Sequence, residues 1–426
     1  MELQQWQRFQ FLRIHCSGNN SMKKINIVLV MSALLVSGVY LQCEKSKPAD
    51  PRGDAYAGSA TCIKCHNDTY QTYLHTAHYV AAIPADMSTV HGSFAKNANV
   101  FNFSPSQKIV MEHLDSGLFQ TYYLNGKLVE KHRFDIVLGG VKGESYLYWK
   151  GNGLYQLPVS YFTQEHQWLL SPRFDPRFVN FNRTITSRCL ECHASYIGDQ
   201  QTNDHQLTGV EQFDKATMVY SVDCERCHGP GAMHAEFQTN HPEIKTAKFI
   251  ANYNSLPNAR KLDMCGTCHS GNKSEPLRST FTFKPGDTLA NFRLPGFETA
   301  NTTAPPDVHG NQVQLLKSSK CFINSNMDCA TCHNVHKNER GDFAVYTQKC
   351  LACHNEVKHN YCKIANAANG PFIKSNCIQC HMPALPSNAI ISVSMNKAVS
   401  ADILVHTHYI AIYPDQAKKI LAMFNK

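Results

Sequence analysis

The 426-residue sequence has no low-complexity tract and no tandem repeat beyond one five-residue motif, so neither a biased tail nor a solenoid organises it. Its one long apolar run, INIVLVMSALLVSGVYL, is short for a membrane span and sits near the N-terminus. Preceded by Met22, Lys23 and Lys24, that run predicts a secretory signal starting at Met22, with residues 1–21 an upstream extension. A retained anchor is the alternative. Unpaired cysteines are scarce too. Of 18 Cys, only Cys16, Cys43, Cys321 and Cys362 stand outside Cys-x-x-Cys pairs, and a disulfide framework does not favour that fixed spacing.

What the chain has in abundance is one string, Cys-x-x-Cys-His, complete in seven places. The copies are Cys62, Cys65 and His66; Cys189, Cys192 and His193; Cys224, Cys227 and His228; and Cys265, Cys268 and His269. Then follow Cys329, Cys332 and His333; Cys350, Cys353 and His354; and Cys377, Cys380 and His381. Two thiols at this spacing form thioethers to the two vinyl groups of a haem, and the adjacent His reaches the iron. Structural zinc also uses paired Cys-x-x-Cys units, but nothing in zinc coordination calls for His after every second Cys. The expectation is seven covalently bound haems c, with the motif His as proximal ligands.

Cys43 ends the apolar run and opens a polar stretch, EKSKPADPRGDA, of the kind that tethers a domain to a surface. It stands where a lipoprotein carries its lipidated Cys, although Gln42 is a poor residue before such a site. Lipid attachment through Cys43 and an ordinary cleaved signal both remain open. Cys321 and Cys362 read either as a disulfide, which an oxidising compartment favours, or as two unrelated buried thiols. The formal charge of +8 falls to +5 without residues 1–42, and seven haems with their propionates bring it below zero. The basic residues then read as propionate partners and counter-charge, and no nucleic-acid surface is expected.

Motifs are unevenly spread, and 122 residues without an attachment site separate His66 from Cys189. KIVMEHL, GLFQTYYL, KLVEKHRFDIVLG and ESYLYWKG within that gap are rich in β-branched and aromatic residues, with a hairpin signal at Asn125-Gly126 and a turn at Gly151-Asn152-Gly153. The fold class expected is α+β: a haem-packed core of short helices and loops plus an inserted antiparallel β module. The segments are 1–43 (extension and signal), 44–94 (first haem), 95–182 (β insertion), 183–280 (haems two to four) and 281–426 (haems five to seven and a C-terminal helix). A helix is expected over Asn67 to Ile83, with His75 and His78 on one face, and another over PDQAKKILAMFN, opened by Pro414. Along the chain the first haem is isolated and two groups of three follow the insertion.

Fifteen of 22 His lie outside the motifs, enough to favour bis-His coordination over Met. His336 follows His333 by three residues. Both rings would project from one helix face, so His336 cannot serve the same iron and should ligate a neighbour. His234, beyond the Gly-Pro-Gly turn after His228, is a similar case. His78, His309, His408 and His359 are further distal candidates, with His75, His91 and His406 behind them. His113, His132 and His166 lie in or beside the β module, and His205 and His241 in polar loops, as surface or hydrogen-bonding residues.

The strings GSATCIKCHNDTYQTYLHTAHY, ITSRCLECHASY, VDCERCHGPGAMH, MCGTCHSG, SSKCFINSNMDCATCHNVH and CIQCHMP resemble the exported multihaem cytochromes c related to hydroxylamine oxidoreductase and octahaem tetrathionate reductase. The resemblance implies that His234 and His336 ligate neighbouring haems, and it matches His78 to a ligand after the first motif. Two departures weaken any implied catalysis. All seven motifs end in His where related nitrite and tetrathionate reductases carry a catalytic-haem Lys, and the cross-linking Tyr of hydroxylamine oxidoreductase has no counterpart that can be mapped.

The leading functional expectation is an exported carrier, periplasmic or attached to the outer membrane. It would pass electrons along a packed bis-His haem chain between redox partner proteins, among them a membrane quinol-oxidising complex. The alternative is an oxidoreductase acting on nitrite, hydroxylamine or tetrathionate at one five-coordinate haem, with Lys142, Tyr146, Tyr148 and Tyr155 of the β module lining the site. A docking subunit of a larger respiratory assembly, with the module as interface, is the third class.

Overall fold

In a computed structural model the chain is described over residues 50–424, apart from 201–208, 272–273, 295–306, 356, 359–360, 367 and 392–401. The signal-like run, Cys16, Cys43, His15, His205 and His359 lie outside the described residues. The fold is mixed α+β. Among the described residues no helix is long and apolar enough to cross a membrane.

Alternating apolar residues build the β module as two sheets. Strands β1 (Ala82–Pro84), β2 (Val100–Ser104), β3 (Gln107–Leu114), β4 (Gly117–Leu124) and β5 (Lys127–Arg133) open the series. β6 (Ile136–Gly139), β7 (Gly143–Lys150), β8 (Gly153–Gln156), β9 (Val159–Phe162), β10 (Gln167–Leu170) and β11 (Arg183–Thr184) complete it. The antiparallel sheet β2-β3-β4-β5 faces a seven-stranded sheet, β1-β6-β7-β8-β11, in which β9 pairs with β7 and β10. Asn125 (φ 50°) and Gly126 (φ 77°) turn β4 into β5 as the hairpin signal predicts, and Gly151 (φ 59°) turns β7 into β8. LYQLPVSYF does not form one strand. It breaks at Leu157-Pro158 into β8 and β9, because a proline supplies no ladder donor.

The period-2 alternation gives the seven-stranded sheet two apolar faces. Val137, Tyr146, Tyr148, Leu157, Val159 and Trp168 pack inward against Phe101, Phe103, Ile109, Met111 and Leu118 of the other sheet. Buried Gln120 bridges the two sheets: its Nε2 donates to Val159 O at 2.6 Å and its Oε1 accepts from Val159 N at 3.2 Å. On the opposite face Ile136, Leu147, Leu154 and Ala82 pack against Leu190, Ala194, Ile197 and Phe213. Leu190 lies between Cys189 and Cys192, so the module is seated directly on the second Cys-x-x-Cys-His segment.

Residues between β1 and β2 strap the rim of the module. His91 N donates to buried Glu144 Oε2 at 3.0 Å, the His91 ring meets Oε1, and Tyr146 Oη donates to Oε2 at 2.6 Å. Trp168 Nε1 donates to Ser93 O at 2.9 Å, and a Cβ on Gly92 would overlap the Trp168 indole. Gly92→Ala is therefore expected to destabilise the protein by about 1–3 kcal/mol, the cost of overpacking a filled core. Thermal unfolding checks this, and an unchanged midpoint would show that the strap yields freely.

The helix expected over Asn67 to Ile83 is placed differently. It runs Ser59–Tyr73 with a break at His66, followed by turns and a 3-10 segment at Tyr79–Ala81. Tertiary bonds end it: Tyr73 Oη donates to Val222 O at 2.6 Å, and Val222 N to His78 O at 2.9 Å. The C-terminal helix begins at Pro414 as expected and ends at Leu421. Two small hairpins complete the sheets, β12 (Tyr196–Asp199) with β13 (Phe213–Val219) and β14 (Ala384–Ile391) with β15 (Asp402–His406).

Candidate functional site: paired imidazoles between motif segments

Most of the seven motifs lie on short helices. The second ends helix Ser187–His193, the third fills Cys224–His228, the fourth ends Asn258–His269 and the seventh fills Cys377–His381. Cysteines three apart then share one face, as two thioethers to one ring edge require. In the first motif the helix breaks at His66 (φ −111°, ψ 35°). The fifth motif is tighter, a 3-10 turn at Cys329–Thr331 closed by an Asp328–Thr331 capping box. No helix continues to His336, contrary to the expected shared helix face. His336 N instead caps onto Asn334 Oδ1 at 3.0 Å.

The imidazoles meet in pairs. Ring centroids are 6.4 Å apart for His66 and His234, 6.3 Å for His78 and His269, 5.9 Å for His228 and His336, and 6.1 Å for His333 and His408. These separations are too wide for ring contact. With a metal–imidazole bond of about 2 Å and roughly 1.2 Å from nitrogen to ring centre, two ligands on opposite faces of one iron have centroids about 6.4 Å apart. All four separations lie close to that value. In each pair the second His comes from outside the first one's motif.

Hydrogen bonds orient one of these rings, His234, and two further motif rings, His193 and His381. Nδ1 of His193 donates to Ala81 O at 3.2 Å, that of His234 to Lys248 O at 2.8 Å and that of His381 to Ala411 O at 2.9 Å. A carbonyl acceptor places the proton on Nδ1 and leaves the Nε2 lone pair for a metal. Burial lowers the pKa of His78, His193, His228 and His336, and pushes His408 down to about 4. Each is thus held in the neutral form that ligates.

Motif cysteines converge as well. Cys62 meets Cys224, Cys192 meets Cys268, Cys265 meets Cys329 and Cys350 meets Cys377. The first motif, isolated along the chain, therefore folds onto the third, and the two later groups of three join through Cys265–Cys329 and His228–His336. Cys321 and Cys362 do not pair, which departs from the disulfide favoured from the sequence. Cys321 neighbours Cys332 and Cys350, whereas Cys362 neighbours Cys380.

The contact between the first and third motifs depends on residues that motif reading passed over. Glu225, inside CERCH, accepts from Ala57 N (2.8 Å), Gly58 N (2.9 Å), Gly231 N (2.8 Å) and Arg52 Nη2 (3.0 Å). Arg52 also pairs with Asp50 and Asp223, and its side chain is 4% exposed. Burial alone would lower the Arg52 pKa, but Asp50 and Asp223 raise it, so the guanidinium stays charged. From Asp50 onward the supposed polar tether is thus a clamp. A signal was available: acids occupy the x positions of CLECH and CERCH, and Glu191, like Glu225, is buried.

The β module braces the segments that carry His78 and His408. β1, four residues after His78, pairs with β6, and Ile403 of the hairpin leading to His408 packs on Phe162 and Leu169. Ser319 Oγ donates to His408 O at 3.1 Å and accepts from Ile410 N at 2.8 Å. Tyr146 and Tyr148 are core residues, their hydroxyls donating to Glu144 and to Phe181 O (2.7 Å), and Tyr155 packs on Tyr148 with ring centroids 5.5 Å apart. Strand alternation points them between the sheets, away from the motifs. Lys142 lies within electrostatic range of Glu165 and of Arg340, which is itself within range of His333.

The remaining candidates are dispersed. His309 lies within electrostatic range of His193 and His269. His75 is exposed, His91 is engaged by Glu144, and His406 Nδ1 donates to Met382 O at 2.6 Å.

Residues 175–229, which span the second and third motifs, match the family model described as cytochrome c554 and c-prime. This stretch is similar to a c-type cytochrome domain. Its cofactor class is covalently bound haem c, and the residues fit that group: thiol pairs at vinyl spacing and imidazoles set across a one-atom gap. No curated protein matches the chain. Among solved structures the chain is similar to the outer cell wall cytochrome OcwA, at 16% identity and TM-score 0.47 over 86% of this chain and 81% of that one.

Proposed function

We propose that the protein is an exported electron carrier with seven covalently attached haems c, of the multihaem group that its motif strings resemble. When bound, haem iron supplies one-electron exchange between ferric and ferrous states. The chain supplies the spacing. The observation that carries this reading is the crossed pairing of imidazoles, His66 with His234, His78 with His269, His228 with His336 and His333 with His408. Each pair couples two segments of the chain, so cofactors held by the motifs would be locked as neighbours by protein bonds.

His309 is the distal partner we assign to His193, on the strength of their proximity. A redox partner such as a membrane quinol-oxidising complex, and export through the segment at Met22, with or without attachment at Cys43, complete the proposal. Intact mass of the exported protein should show seven added haems. Electron paramagnetic resonance of the oxidised protein should show every iron low-spin. A high-spin ferric haem that turns over nitrite or hydroxylamine would replace the carrier reading with the enzymatic one.

A further inference from the structure

Arginines near the motifs are buried, and two of them are visibly satisfied. Arg52 has three carboxylates, and Arg226 donates to Thr280 O, to Thr280 Oγ1 (3.2 Å) and to Glu191 O (3.0 Å). Arg293 is different. It is 3% exposed, and its Nη1 donates to Gly271 O at 3.2 Å. Among the described residues Nε and Nη2 are buried with no nitrogen or oxygen partner, and only the Cys192 sulfur, a weak acceptor, lies within reach. Among the described residues no carboxylate forms an ion pair with it.

A guanidinium cannot shed its charge, so burial calls for an anion. The two free donors also belong together. Nε and Nη2 form one edge of the fork, the edge that meets both oxygens of a single carboxylate through parallel N–H···O bonds. The backbone anchors the residue, with Arg293 N donating to Leu289 O at 3.1 Å and Arg293 bridging Pro276 in antiparallel fashion, and the Nη1 bond to Gly271 O holds the guanidinium. Its surroundings are the second and fourth motifs. Arg293 stands beside the Cys192 sulfur, which meets Cys268. Gly271, which accepts from Nη1, follows His269 by two residues and donates from its N to Gly310 O at 2.6 Å, next to His309.

We propose that the Nε–Nη2 edge of Arg293 binds a carboxylate-type oxyanion at the junction of the second and fourth motifs. This rests on the haem reading above, since a haem propionate is one source of such a group; a small diffusible anion is the other. The edge accepts either through the same two bonds.

The test uses the full haem-loaded protein with Arg293→Gln and Arg293→Lys. Intact mass counts attached haems in the same samples, so failure of the haem reading is seen separately from failure of the anion site. Loss of the cation favours the ferric state of the haem nearest the site. In Arg293→Gln one midpoint potential should fall by about 59 mV, a tenfold change in the ferric-to-ferrous ratio for one electron. Arg293→Lys keeps the charge without the fork and should shift it less, in the same direction. It carries the test if the Gln variant does not mature.

Titration with formate and nitrite separates the sources. A shift that persists in anion-free buffer, with no response of the wild type to either anion, identifies a propionate. A wild-type response that is lost in the variants identifies a diffusible oxyanion. Midpoints and anion responses equal to wild type in both variants would overturn the site, and so would a lower melting temperature with every potential unchanged.

Discussion

Glu225→Ala is expected to lower the stability of the protein by about 3–5 kcal/mol, the usual cost of breaking a buried charged network by removing one partner. The side chain is 1% exposed and receives three backbone N–H groups and one guanidinium. Truncation strands all three N–H donors away from water, at about 1–3 kcal/mol for each one left unmade. Relaxation and water entry recover part of that sum, so the lower figure is used. Those donors belong to the start of the first motif helix and to the Gly-Pro-Gly turn. The damage should therefore be local as well as global, with limited proteolysis opening near residues 50–60 first. Chemical denaturation measured by circular dichroism checks the magnitude, and a loss below 1 kcal/mol would mean that Arg52, Asp50 and Asp223 suffice without Glu225.

His336→Ala should leave the number of attached haems unchanged and convert one iron from low-spin to high-spin. The thioether cysteines are untouched, so attachment persists. The ring lost is the one that faces His228 at 5.9 Å, with planes 11° apart. An open coordination position on the haem of the third motif is the consequence, even though His336 follows the fifth motif in sequence. Magnetic resonance of the oxidised variant, with exogenous imidazole added to restore the low-spin signal, reads this directly. An unchanged spin count would remove the assigned pairing.

Much of the candidate site was legible without tertiary structure, and the reason is covalent. Thioether spacing and an adjacent ligand are properties of five consecutive residues, so each motif can be recognised alone. Hairpin signals at Asn125-Gly126 and Gly151 were legible for a similar reason, because positive φ is a local requirement. The helix over residues 67–83 was misjudged because its periodicity continues past Tyr73, where bonds to Val222 take over. The β-module tyrosines were misjudged because alternation says that they share a face but not which face meets the motifs. Arg52 went unnoticed in a stretch whose composition reads as linker. Its role exists only because Asp223 and Glu225, over 170 residues away, fold against it.

By itself the sequence determined the cofactor class, the seven Cys-x-x-Cys-His strings and the presence of a β insertion. The tertiary structure alone decided which imidazole faces which, that the first motif joins the third, and that the insertion buttresses His78 and His408. It also left Arg293 with an unpaired edge. The division follows from range. A covalent motif is specified by neighbours along the chain, whereas axial pairing needs two rings about 6 Å apart, placed there by packing and hydrogen bonds between distant segments.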